Sequence, residues 1–451
     1  MKRFVTSRWT YIFPKGRNFA LFNSRNLEVL YVDKDVADLM SLFNKPHKID
    51  EAFSFLKNIK DRKKIKEVIN MLIKAKFIVL EDVNEIEELQ KWTVAEIKNR
   101  EAKLGQSSRL NALRVVLTER CNFNCNYCFV QKKKINRSND ISFKILIDAV
   151  NLLSSLNKEE SIEIQFFGGE PLIRFDLIIK TVEYVQNLIK KGVIKKAYYG
   201  ITTNGTLIDD KIARFFKKNK FLVSISIDGW KSLHNLNRRY FNKRGTFDDT
   251  MKGLEILQKN KNDIGVLITP SENNLKSLAK ACEYIITKLG CDFITINTPQ
   301  PIKGNWDVDG KLFSQQIKKC FKIAKKYKTT INSFGTRVFY ALDEKKPLVL
   351  SCSKFGDDYT ATLTPDGKIS PCIVSWQHKD ILIPMNKFSY HGDFSKWKLT
   401  SPYFFDKCIH CPAMNVCGGP CPLEVYEMKN FSKPIDHERC SFFKDFLESV
   451  I

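Results

Sequence analysis

Short apolar runs alternate with longer amphipathic stretches through the middle of this 451-residue chain. Each run has the length of a β-strand, and each stretch between two runs repeats its apolar residues with the period of a helix. Strand followed by helix, repeated six times, predicts parallel βαβ units in an α/β fold, arranged as a six-stranded partial (β/α) barrel. The predicted strands are residues 113–118, 162–167, 198–203, 222–227, 263–269 and 292–298.

The first hundred residues follow a different pattern. Residues 18–23 and 27–33 predict two short paired strands joined through Ser24 to Asn26. The stretch up to residue 107, acidic at first and then rich in lysine, predicts a linking helix from about residue 83. The remaining predicted elements are helices at 34–43, 49–56 and 63–75 and a last strand at 76–82.

Three cysteines directly after the first barrel strand carry the first chemical signal. Cys121, Cys125 and Cys128 have CxxxCxxC spacing. Three thiolates hold three irons of a 4Fe-4S cube and leave the fourth iron open to a cofactor. The spacing by itself also suits zinc.

The next three barrel strands end in polar turns. These turns are GGEP at 168–171, TTNG at 202–205 and SIDG at 226–229. Each one alone fits ordinary strand-to-loop chemistry. In this order after the cysteine triplet, they favour a ligand site at the carboxyl ends of the strands, where barrel enzymes keep their active sites.

This pattern resembles that of the radical SAM enzymes, which cleave S-adenosylmethionine (SAM) reductively. It consists of the cysteine triplet, Tyr127 before the third cysteine, and the three turns that follow. The resemblance implies a partial (β/α)6 barrel and a SAM-binding 4Fe-4S cluster on Cys121, Cys125 and Cys128. It also implies a set of SAM contacts. The residues concerned are Gly168, Gly169 and Glu170 for the methionyl amino group, Thr203 and Asn204 for the ribose, and Ser226 and Asp228 at the same rim.

Residues 228–239 resemble the DGxxxxHDxxR segment of the same family. By that resemblance Arg238 is the partner of the SAM carboxylate. Asn235 stands where the family usually has an acidic residue, and Arg239 or Arg244 are alternatives to Arg238.

A second field of seven cysteines lies near the carboxyl terminus and resembles the SPASM extension, which carries auxiliary 4Fe-4S clusters. The resemblance implies one cluster on Cys408, Cys411, Cys417 and Cys440, and another on Cys352, Cys372 and Cys421. The second set has three thiolates, so its fourth iron is either open to a substrate thiolate or closed by another ligand. Zinc sites are the alternative for these spacings.

Three cysteines, Cys282, Cys291 and Cys320, fall outside both fields, and we expect each to be a small buried hydrophobe. Thiols clustered at metal spacing require a reducing environment. No apolar run approaches the roughly eighteen residues of a membrane span. These features predict a cytoplasmic protein without a membrane partner.

The order of elements in residues 1–83 resembles the winged-helix recognition element with which enzymes that modify ribosomal peptides bind a precursor's leader, by adding the leader to an edge strand. A DNA-binding winged helix and a structural cap are the alternatives. The net charge of +24 favours an acidic partner, and an acidic leader meets that condition as well as nucleic acid or membrane does. The basic runs are spread along the chain, so nucleic acid is the weaker interpretation.

The predicted domains are 1–83 for leader recognition, 84–108 as a linker helix, 109–310 as the radical SAM core, 311–345 as a helical connection and 346–451 as the SPASM domain. The resemblance implies a crosslink, first a cysteine thioether, installed in a ribosomal precursor peptide with electrons from a flavodoxin or ferredoxin. Carbon-carbon crosslinking and anaerobic sulfatase maturation are the alternatives. A zinc protein that binds nucleic acid is the more distant one. No residue is singled out as the catalytic proton acceptor.

Overall fold

The computed structural model describes most of the chain in two compact units. The smaller comprises Met1–Asn99, Gly335–Cys352 and Lys398–Ile451, and the larger comprises Arg100–Phe334 and Ser353–Trp397. The described residues are 2–55, 62–106, 110–132, 139–156, 161–299, 301–302, 305–350, 360–376, 378–388, 401–428 and 437–451.

Strands and helices are numbered in chain order over the described residues. The strands are β1 (Arg3–Thr6), β2 (Thr10–Lys15), β3 (Asn18–Asn23), β4 (Val29–Val32), β5 (His47–Lys48), β6 (Ile78–Leu80), β7 (Ala112–Val116), β8 (Ser161–Phe167), β9 (Lys196–Thr203), β10 (Phe221–Ser226), β11 (Asp263–Ile268), β12 (Phe293–Ile296), β13 (Pro301–Ile302), β14 (Asn305–Trp306), β15 (Thr330–Asn332), β16 (Thr360–Leu363), β17 (Lys368–Ser370) and β18 (Ile383–Pro384). The helices are α1 (Lys34–Leu42), α2 (Ile49–Phe55), α3 (Arg62–Lys74), α4 (Glu85–Gln106), α5 (Phe129–Lys132), α6 (Phe143–Leu156), α7 (Phe175–Lys190), α8 (Asp210–Lys218), α9 (Lys231–Asn237), α10 (Phe247–Lys259), α11 (Leu278–Leu289), α12 (Gly310–Tyr327), α13 (Thr336–Asp343), α14 (Asp406–Ile409), α15 (Met414–Cys417), α16 (Pro422–Met428) and α17 (His437–Val450).

The larger unit is the predicted partial barrel. Strands β7 to β12 lie side by side in chain order and pair in parallel. The sheet continues at both edges, because β15 pairs in parallel with β12 and β16 pairs in parallel with β7. Strands β17 and β18 follow β16 in antiparallel order. The six predicted strands are confirmed, and the short edge strands were missed.

The strands of the barrel present one face to the helices and the other to the site. Along β8 every second side chain, at Ile162, Ile164 and Phe166, is buried. The residues between them, such as Gln165 and Phe167, line a cavity on the other face. This alternation follows from the period of two residues in a strand, and it orients the polar strand ends toward the cavity.

The smaller unit contains two three-stranded sheets, ordered β2-β3-β4 and β5-β1-β6. The predicted pairing of 18–23 with 27–33 is confirmed, with Leu21 opposite Leu30. Helices α1 to α3 pack on these strands through an apolar core that includes Leu39, Phe43 and Leu72. Strands β1, β2 and β5 were missed because they are short or, in β2, interrupted by proline.

The carboxyl-terminal region, predicted as one domain over 346–451, is divided between the two units. Residues 353–397 belong to the larger unit, since β16 extends the barrel sheet. Residues 398–451 belong to the smaller unit, where Asn415 Nδ2 donates to the carbonyl oxygens of Ser24 (2.7 Å) and Arg25 (3.0 Å). Among the described helices, none is both long and apolar enough to cross a membrane.

Candidate active site

A cavity of about 540 Å³ lies on the inner face of the barrel sheet in the larger unit. The thiols of Cys121, Cys125 and Cys128 line it. Of the SAM contacts predicted from the sequence, only Asp228 is absent from the lining; those present are Tyr127, Gly168, Gly169, Glu170, Thr203, Asn204, Ser226 and Arg238. The fold therefore brings residues 121–128, called here the cysteine loop, and all three polar turns to one cavity.

The two glycines after β8 lie directly against the loop that leads to the cysteines. A Cβ on Gly169 would stand 2.2 Å from the carbonyl oxygen of Arg120, and one on Gly168 would stand 2.4 Å from that of Thr118. The backbones are joined by hydrogen bonds from Gly169 N to Thr118 O and from Glu170 N to Arg120 O, both of 2.8 Å. Only glycine permits this approach, which sets the position of Cys121.

The cysteine loop is also held from the side of α9. The amide of Asn124 donates to Arg239 O (2.7 Å), and the amide of Asn126 donates to Asn237 O (3.0 Å). The backbone N of Phe123 donates to Cys121 Sγ (3.3 Å), a contact that favours the thiolate.

Burial raises the pKa of Cys121 above its usual range and that of Cys125 to about 12. These thiols therefore keep their protons until a cation replaces them, which is how thiolate ligands of metals are formed. Over the described ranges, no three His, Cys, Asp or Glu side chains are already closed into a ligand set. The residues fit a cluster by donor type and by convergence on the cavity.

Glu170 joins the ends of β8 and β9. Its carboxylate is 1% exposed and accepts hydrogen bonds from Thr203 Oγ1 (2.8 Å), Asn204 N (2.8 Å) and Leu172 N (3.1 Å). Burial, opposed by these three donors, raises the pKa of Glu170 to about 7. The side chain thus fixes the geometry of the neighbouring turn, while its role as receptor of the SAM amino group stays a prediction.

Asn204 belongs to a small amide network that the sequence did not reveal. Its Nδ2 donates to Asn122 Oδ1 (2.8 Å), and its Oδ1 accepts from Thr206 N (3.0 Å). Asn122 Nδ2 donates in turn to Thr206 Oγ1 (2.9 Å). Asn122 follows Cys121 directly, so this network connects the TTNG turn to the cysteine loop.

Asp228 lies behind the cavity, where it holds three residues that do line it. Its carboxylate accepts hydrogen bonds from Tyr127 OH (2.7 Å), from Arg238 Nε (3.0 Å) and Nη2 (3.1 Å), and from Thr269 N (3.2 Å). The Arg238 guanidinium also lies 5.4 Å from the centre of the Tyr127 ring. Arg238 is 6% exposed, and the nearby Asp228 carboxylate offsets burial and raises its pKa.

The two alternative arginines are turned to other partners and do not line the cavity. Arg239 Nε donates to Asn235 O (2.7 Å), and Arg244 Nη2 donates to Asp249 Oδ2 (2.8 Å). Arg238 is therefore the only guanidinium of these three that the structure brings to the cysteine loop.

Asn235, which stands where the family usually has an acidic residue, caps the start of α10. Its Oδ1 accepts hydrogen bonds from the amides of Thr246 (2.9 Å) and Phe247 (3.1 Å), at the start of α10. An amide oxygen satisfies these donors without a buried charge.

The far end of the cavity contains a second guanidinium. Arg114 Nε donates to Gln165 Oε1 (3.1 Å), and both residues line the cavity with Leu222 and Phe293. Ser226 follows Leu222 by four positions in β10, and four positions of a strand span about 13 Å. The cavity consequently continues well beyond the cysteine loop, into a part that no motif of the sequence marks.

Four of the carboxyl-terminal cysteines lie together in the smaller unit. Burial first, and then the neighbouring thiols Cys417, Cys440 and Cys411, raise the pKa of Cys408. Burial first, and then Cys417 and Cys411, raise the pKa of Cys440 to about 12. Arg439, which the sequence analysis missed, is 2% exposed and hydrogen-bonds to Cys417, so a buried positive charge stands beside this group.

The second predicted auxiliary set is described only in part. Cys352 lies outside the described residues. Cys372 belongs to the larger unit and Cys421 to the smaller one. The amide of Cys421 donates to Glu424 Oε2 (3.1 Å), whose other oxygen accepts from Arg439 Nη1 (3.3 Å). The three-thiolate set stays a prediction.

The three remaining cysteines are buried, as expected. Cys282 and Cys320 are fully enclosed on α11 and α12, with their sulfur atoms 3.6 Å apart. Cys291 precedes β12 and is 4% exposed.

Three relatives share substantial sequence with the chain. A cysteine-type anaerobic sulfatase-maturating enzyme of Clostridium novyi is 32% identical over 357 residues, which are 73% of this chain and 92% of that enzyme. The radical SAM cyclopropyl synthase TigE of Paramaledivibacter caminithermalis is 28% identical over 280 residues, 58% of this chain. An uncharacterized protein of Methanocaldococcus jannaschii is 36% identical over 187 residues, 42% of this chain. The chain spans 56% of TigE and 62% of the Methanocaldococcus protein.

Solved structures agree in fold. The native anSMEcpe with bound AdoMet has a TM-score of 0.61 at 23% identity and covers 75% of this chain and 96% of its own. Streptococcus suis SuiB bound to precursor peptide SuiA has a TM-score of 0.54 at 16% identity, over 97% of this chain and 99% of its own.

The radical SAM superfamily model matches residues 115–285, which contain the cysteine triplet, all three polar turns and Arg238. The match spans β8 to β11 and most of the residues that line the cavity. Together with the relationship to the Clostridium novyi enzyme over nearly that enzyme's whole length, it shows that the chain is an enzyme of the radical SAM superfamily, related to its maturases.

Proposed function

We propose that the protein installs a crosslink, in the first instance a cysteine thioether, in a ribosomally made precursor peptide. The observation that carries this proposal is the length of the barrel cavity, which runs from the cysteine triplet to Arg114. A cofactor held at the carboxyl ends of the strands leaves the other end for a substrate. The reaction is proposed to take place in the cytoplasm, with electrons from a flavodoxin or ferredoxin.

Cys121, Cys125 and Cys128 would hold the SAM-binding 4Fe-4S cluster. With SAM bound, this group supplies a 5′-deoxyadenosyl radical that abstracts hydrogen from the substrate. The hydroxyl of Ser226 lines the cavity and has no hydrogen-bond partner among the described residues. Asp228 accepts from Nε and Nη2 of Arg238, and Nη1 of Arg238 makes no hydrogen bond to Asp228. Ser226 is proposed to contact SAM at this rim, Thr203 and Asn204 its ribose, and Arg238 its carboxylate.

The chain's other cysteines are proposed to serve the later steps. Cys408, Cys411, Cys417 and Cys440 would ligate one auxiliary cluster beside the positive charge of Arg439. Cys352, Cys372 and Cys421 would ligate the other, with a position open to the substrate's cysteine. A positive charge beside a cluster favours its reduced form, which suits the removal of an electron from the substrate.

Sulfatase maturation is the second candidate, favoured by the relationship to the Clostridium novyi enzyme. The sheets and helices of the first hundred residues, in the smaller unit, favour peptide crosslinking instead. The anSMEcpe structure covers 75% of the chain, whereas SuiB with its precursor peptide covers 97%. Under this proposal the amino-terminal elements recognise the precursor peptide.

A mass measurement on the product separates the candidates. The reconstituted enzyme is incubated with SAM, reductant and candidate peptides that contain cysteine. A thioether removes two hydrogens and one free thiol. A carbon-carbon crosslink removes two hydrogens and keeps the thiol open to alkylation, whereas formylglycine replaces sulfur by oxygen and removes two hydrogens. Either of the last two products contradicts the thioether.

A further inference from the structure

The end of the barrel cavity away from the cysteine loop is formed by one row of residues across the sheet. Arg114 of β7 stands opposite Gln165 of β8, and Gln165 stands opposite Gly200 of β9. Gly200 in turn stands opposite Leu222 of β10. Arg114, Gln165, Leu222 and the neighbouring Phe293 line the cavity, and this part is called here the Arg114 pocket.

The middle of this row has no side chain. A Cβ on Gly200 would meet Cγ of Gln165 at 3.4 Å, so any larger residue there would extend over the row. Because the position is glycine, space remains between the guanidinium of Arg114 on one side and Leu222 on the other.

Two of the three nitrogen atoms of the Arg114 guanidinium are available to a ligand. Nε donates to Gln165 Oε1 (3.1 Å). Nη1 and Nη2 make no hydrogen bond or ion pair with any residue that the structure describes. These two nitrogens form the end of the guanidinium fork, which binds a carboxylate through two parallel hydrogen bonds.

Gln165 also separates this guanidinium from a carboxylate on its own strand. Glu163 precedes Gln165 by two positions, on the same face of β8. Gln165 Nε2 donates to Glu163 Oε1 (2.5 Å), while Gln165 Oε1 accepts from Arg114. The amide thus takes the place of a direct ion pair, and the charge of Arg114 has no counter-ion among the described residues.

The other charged side chains that line the cavity have their partners near the cysteine loop. Glu170 accepts three hydrogen bonds at the turn after β8. Arg238 is paired with Asp228 behind the cavity. Within the part of the chain that the structure describes, Arg114 is therefore the charge of the cavity lining that lacks a partner of opposite sign.

The walls of the Arg114 pocket indicate what kind of anion it accepts. Leu222 is 47% exposed and Phe293 is 37% exposed, so a ligand in the cavity can cover apolar surface on both. A carboxylate on a short aliphatic chain, such as the side chain of glutamate, fits this combination. Its methylene groups would cover the apolar walls while its two oxygens bind Nη1 and Nη2.

We propose that Arg114 binds a carboxylate of the substrate peptide and so selects peptides with an acidic group at a set distance from the modified residue. The pocket lies about 13 Å along β10 from Ser226, which is the length of about four residues of an extended peptide. This assignment rests on the proposed function in taking a peptide as the substrate. It adds the residue that determines specificity and the chemical group that it recognises.

The test uses the anaerobically reconstituted full chain with SAM and a set of fluorescein-labelled synthetic peptides. Each peptide is amidated at its carboxyl terminus and contains one cysteine and one glutamate, separated by about two to about six residues of alanine and serine. Fluorescence anisotropy measures the affinity. In the tightest-binding peptide, replacement of glutamate by glutamine should weaken binding at least about tenfold, equivalent to about 1.4 kcal/mol.

Arg114→Gln should lower the affinity for the glutamate peptide to that for the glutamine peptide and leave the glutamine peptide unaffected. A residue with a merely structural role would affect both peptides alike. The matched control is Arg214→Gln, which makes the same change at an exposed position of α8 outside the cavity and should leave both affinities unchanged. The comparison of the two peptides on the wild type needs no variant.

A third peptide distinguishes the two sources of a carboxylate. It has glutamine in place of glutamate and a free carboxyl terminus. Tighter binding of this peptide than of its amidated form, lost in Arg114→Gln, identifies the terminal carboxylate as the group bound. Three results would overturn the assignment: affinities that are the same with and without either carboxylate, no binding by any peptide, or equal losses for the glutamate and glutamine peptides in Arg114→Gln.

5′-Deoxyadenosine release is measured on the same preparations. Release without carboxylate-dependent binding overturns the assignment of Arg114 alone. Carboxylate-dependent binding by a wild-type protein that releases none overturns the proposed function and leaves the assignment of Arg114 in place.

Discussion

The carboxylate of Asp228 receives two hydrogen bonds from the guanidinium of Arg238, of 3.0 Å from Nε and 3.1 Å from Nη2, at a place where both side chains are buried. The same carboxylate holds the hydroxyl of Tyr127, two residues from Cys125 and next to Cys128. The pair thereby connects the SIDG turn, α9 and the cysteine loop. Its function in this account is to position the arginine and the loop from behind the cavity.

Breaking this pair is expected to destabilise the protein strongly. Asp228→Asn leaves the Arg238 charge buried with one neutral partner, and loss of one member of a buried ion pair costs about 3–5 kcal/mol. Denaturant unfolding of the apoprotein measures this loss. Asp248→Asn, which removes an exposed partner of Lys231 at 2.7 Å, should cost less than about 1 kcal/mol. Equal effects of the two substitutions would refute the role of the buried pair.

His234 makes stability depend on pH in a definite direction. Thr246 Oγ1 donates to Arg238 O (2.9 Å), so His234 Nε2 must donate to that hydroxyl (3.1 Å), and Nδ1 accepts from Asp228 N (3.4 Å). The neutral ring satisfies every partner. Burial, and secondly the charge of Arg238, lower the pKa of His234 to about 3.

The unfolded chain binds the proton more readily than the folded one, so His234 removes stability as pH falls from its usual pKa near 6.5 toward 3. The free energy of unfolding of the wild type minus that of His234→Gln should fall by up to about 1.4 kcal/mol per pH unit over this window. Unfolding curves between pH 4.5 and 7.5 test this. A difference that stays constant across the range would show that the ring is not buried in its neutral form.

Gly169→Ala should displace the cysteine loop. The new Cβ would meet the Arg120 carbonyl oxygen at 2.2 Å, and a backbone atom there cannot turn aside as a side chain does. Misplacement of a reacting group by about 1 Å lowers rates by about 100-fold, so 5′-deoxyadenosine release should fall by at least that factor. Gly192→Ala is the control, because nothing lies within 4 Å of its Cβ. It should lose only about 1 kcal/mol of stability, owing to its positive φ, and should keep its activity.

Cys282→Ala separates buried cysteines from ligating ones. The thiol at Cys282 contacts only the interior and Cys320, so its removal should cost about 1 kcal/mol and leave the iron content unchanged. Cys408→Ala should instead lower the iron content by about four atoms per chain, the content of one cubane cluster. Iron and sulfide analysis after anaerobic reconstitution measures both. Loss of iron from Cys282→Ala would show that Cys282 is a cluster ligand and contradict its assignment as a buried hydrophobe.

The barrel was predictable because its strands are apolar runs that end in recognisable turns. Residues 162–167 and 222–227 were placed within one residue of β8 and β10. The edge strands β15 and β16 have three and four residues and no apolar run, and they exist because β12 and β7 offer them an open edge. Strands of this kind form because a neighbouring strand is available, and their sequences lack the alternation of apolar and polar residues from which a strand is predicted.

The sequence predicts most of the residues of the site, but it predicts few of the contacts between them. The cysteines, the glycines and Arg238 belong to motifs that indicate what each of them binds. Asp228 also stands in such a motif, but its place behind the cavity follows from which residues approach it, Tyr127 across about a hundred positions and Thr269 across forty-one. Asn122 and Arg114 belong to no motif, and only the folded chain shows that they reach the site.

The most direct measurement is 5′-deoxyadenosine release from SAM under reductant by the anaerobically reconstituted protein, compared between the wild type, Cys125→Ala and Cys282→Ala. The account predicts release by the wild type and by Cys282→Ala, and none by Cys125→Ala, because the triplet in the barrel cavity holds the cluster that SAM requires. Continued release by Cys125→Ala, or a wild type that binds zinc and releases nothing, would contradict it.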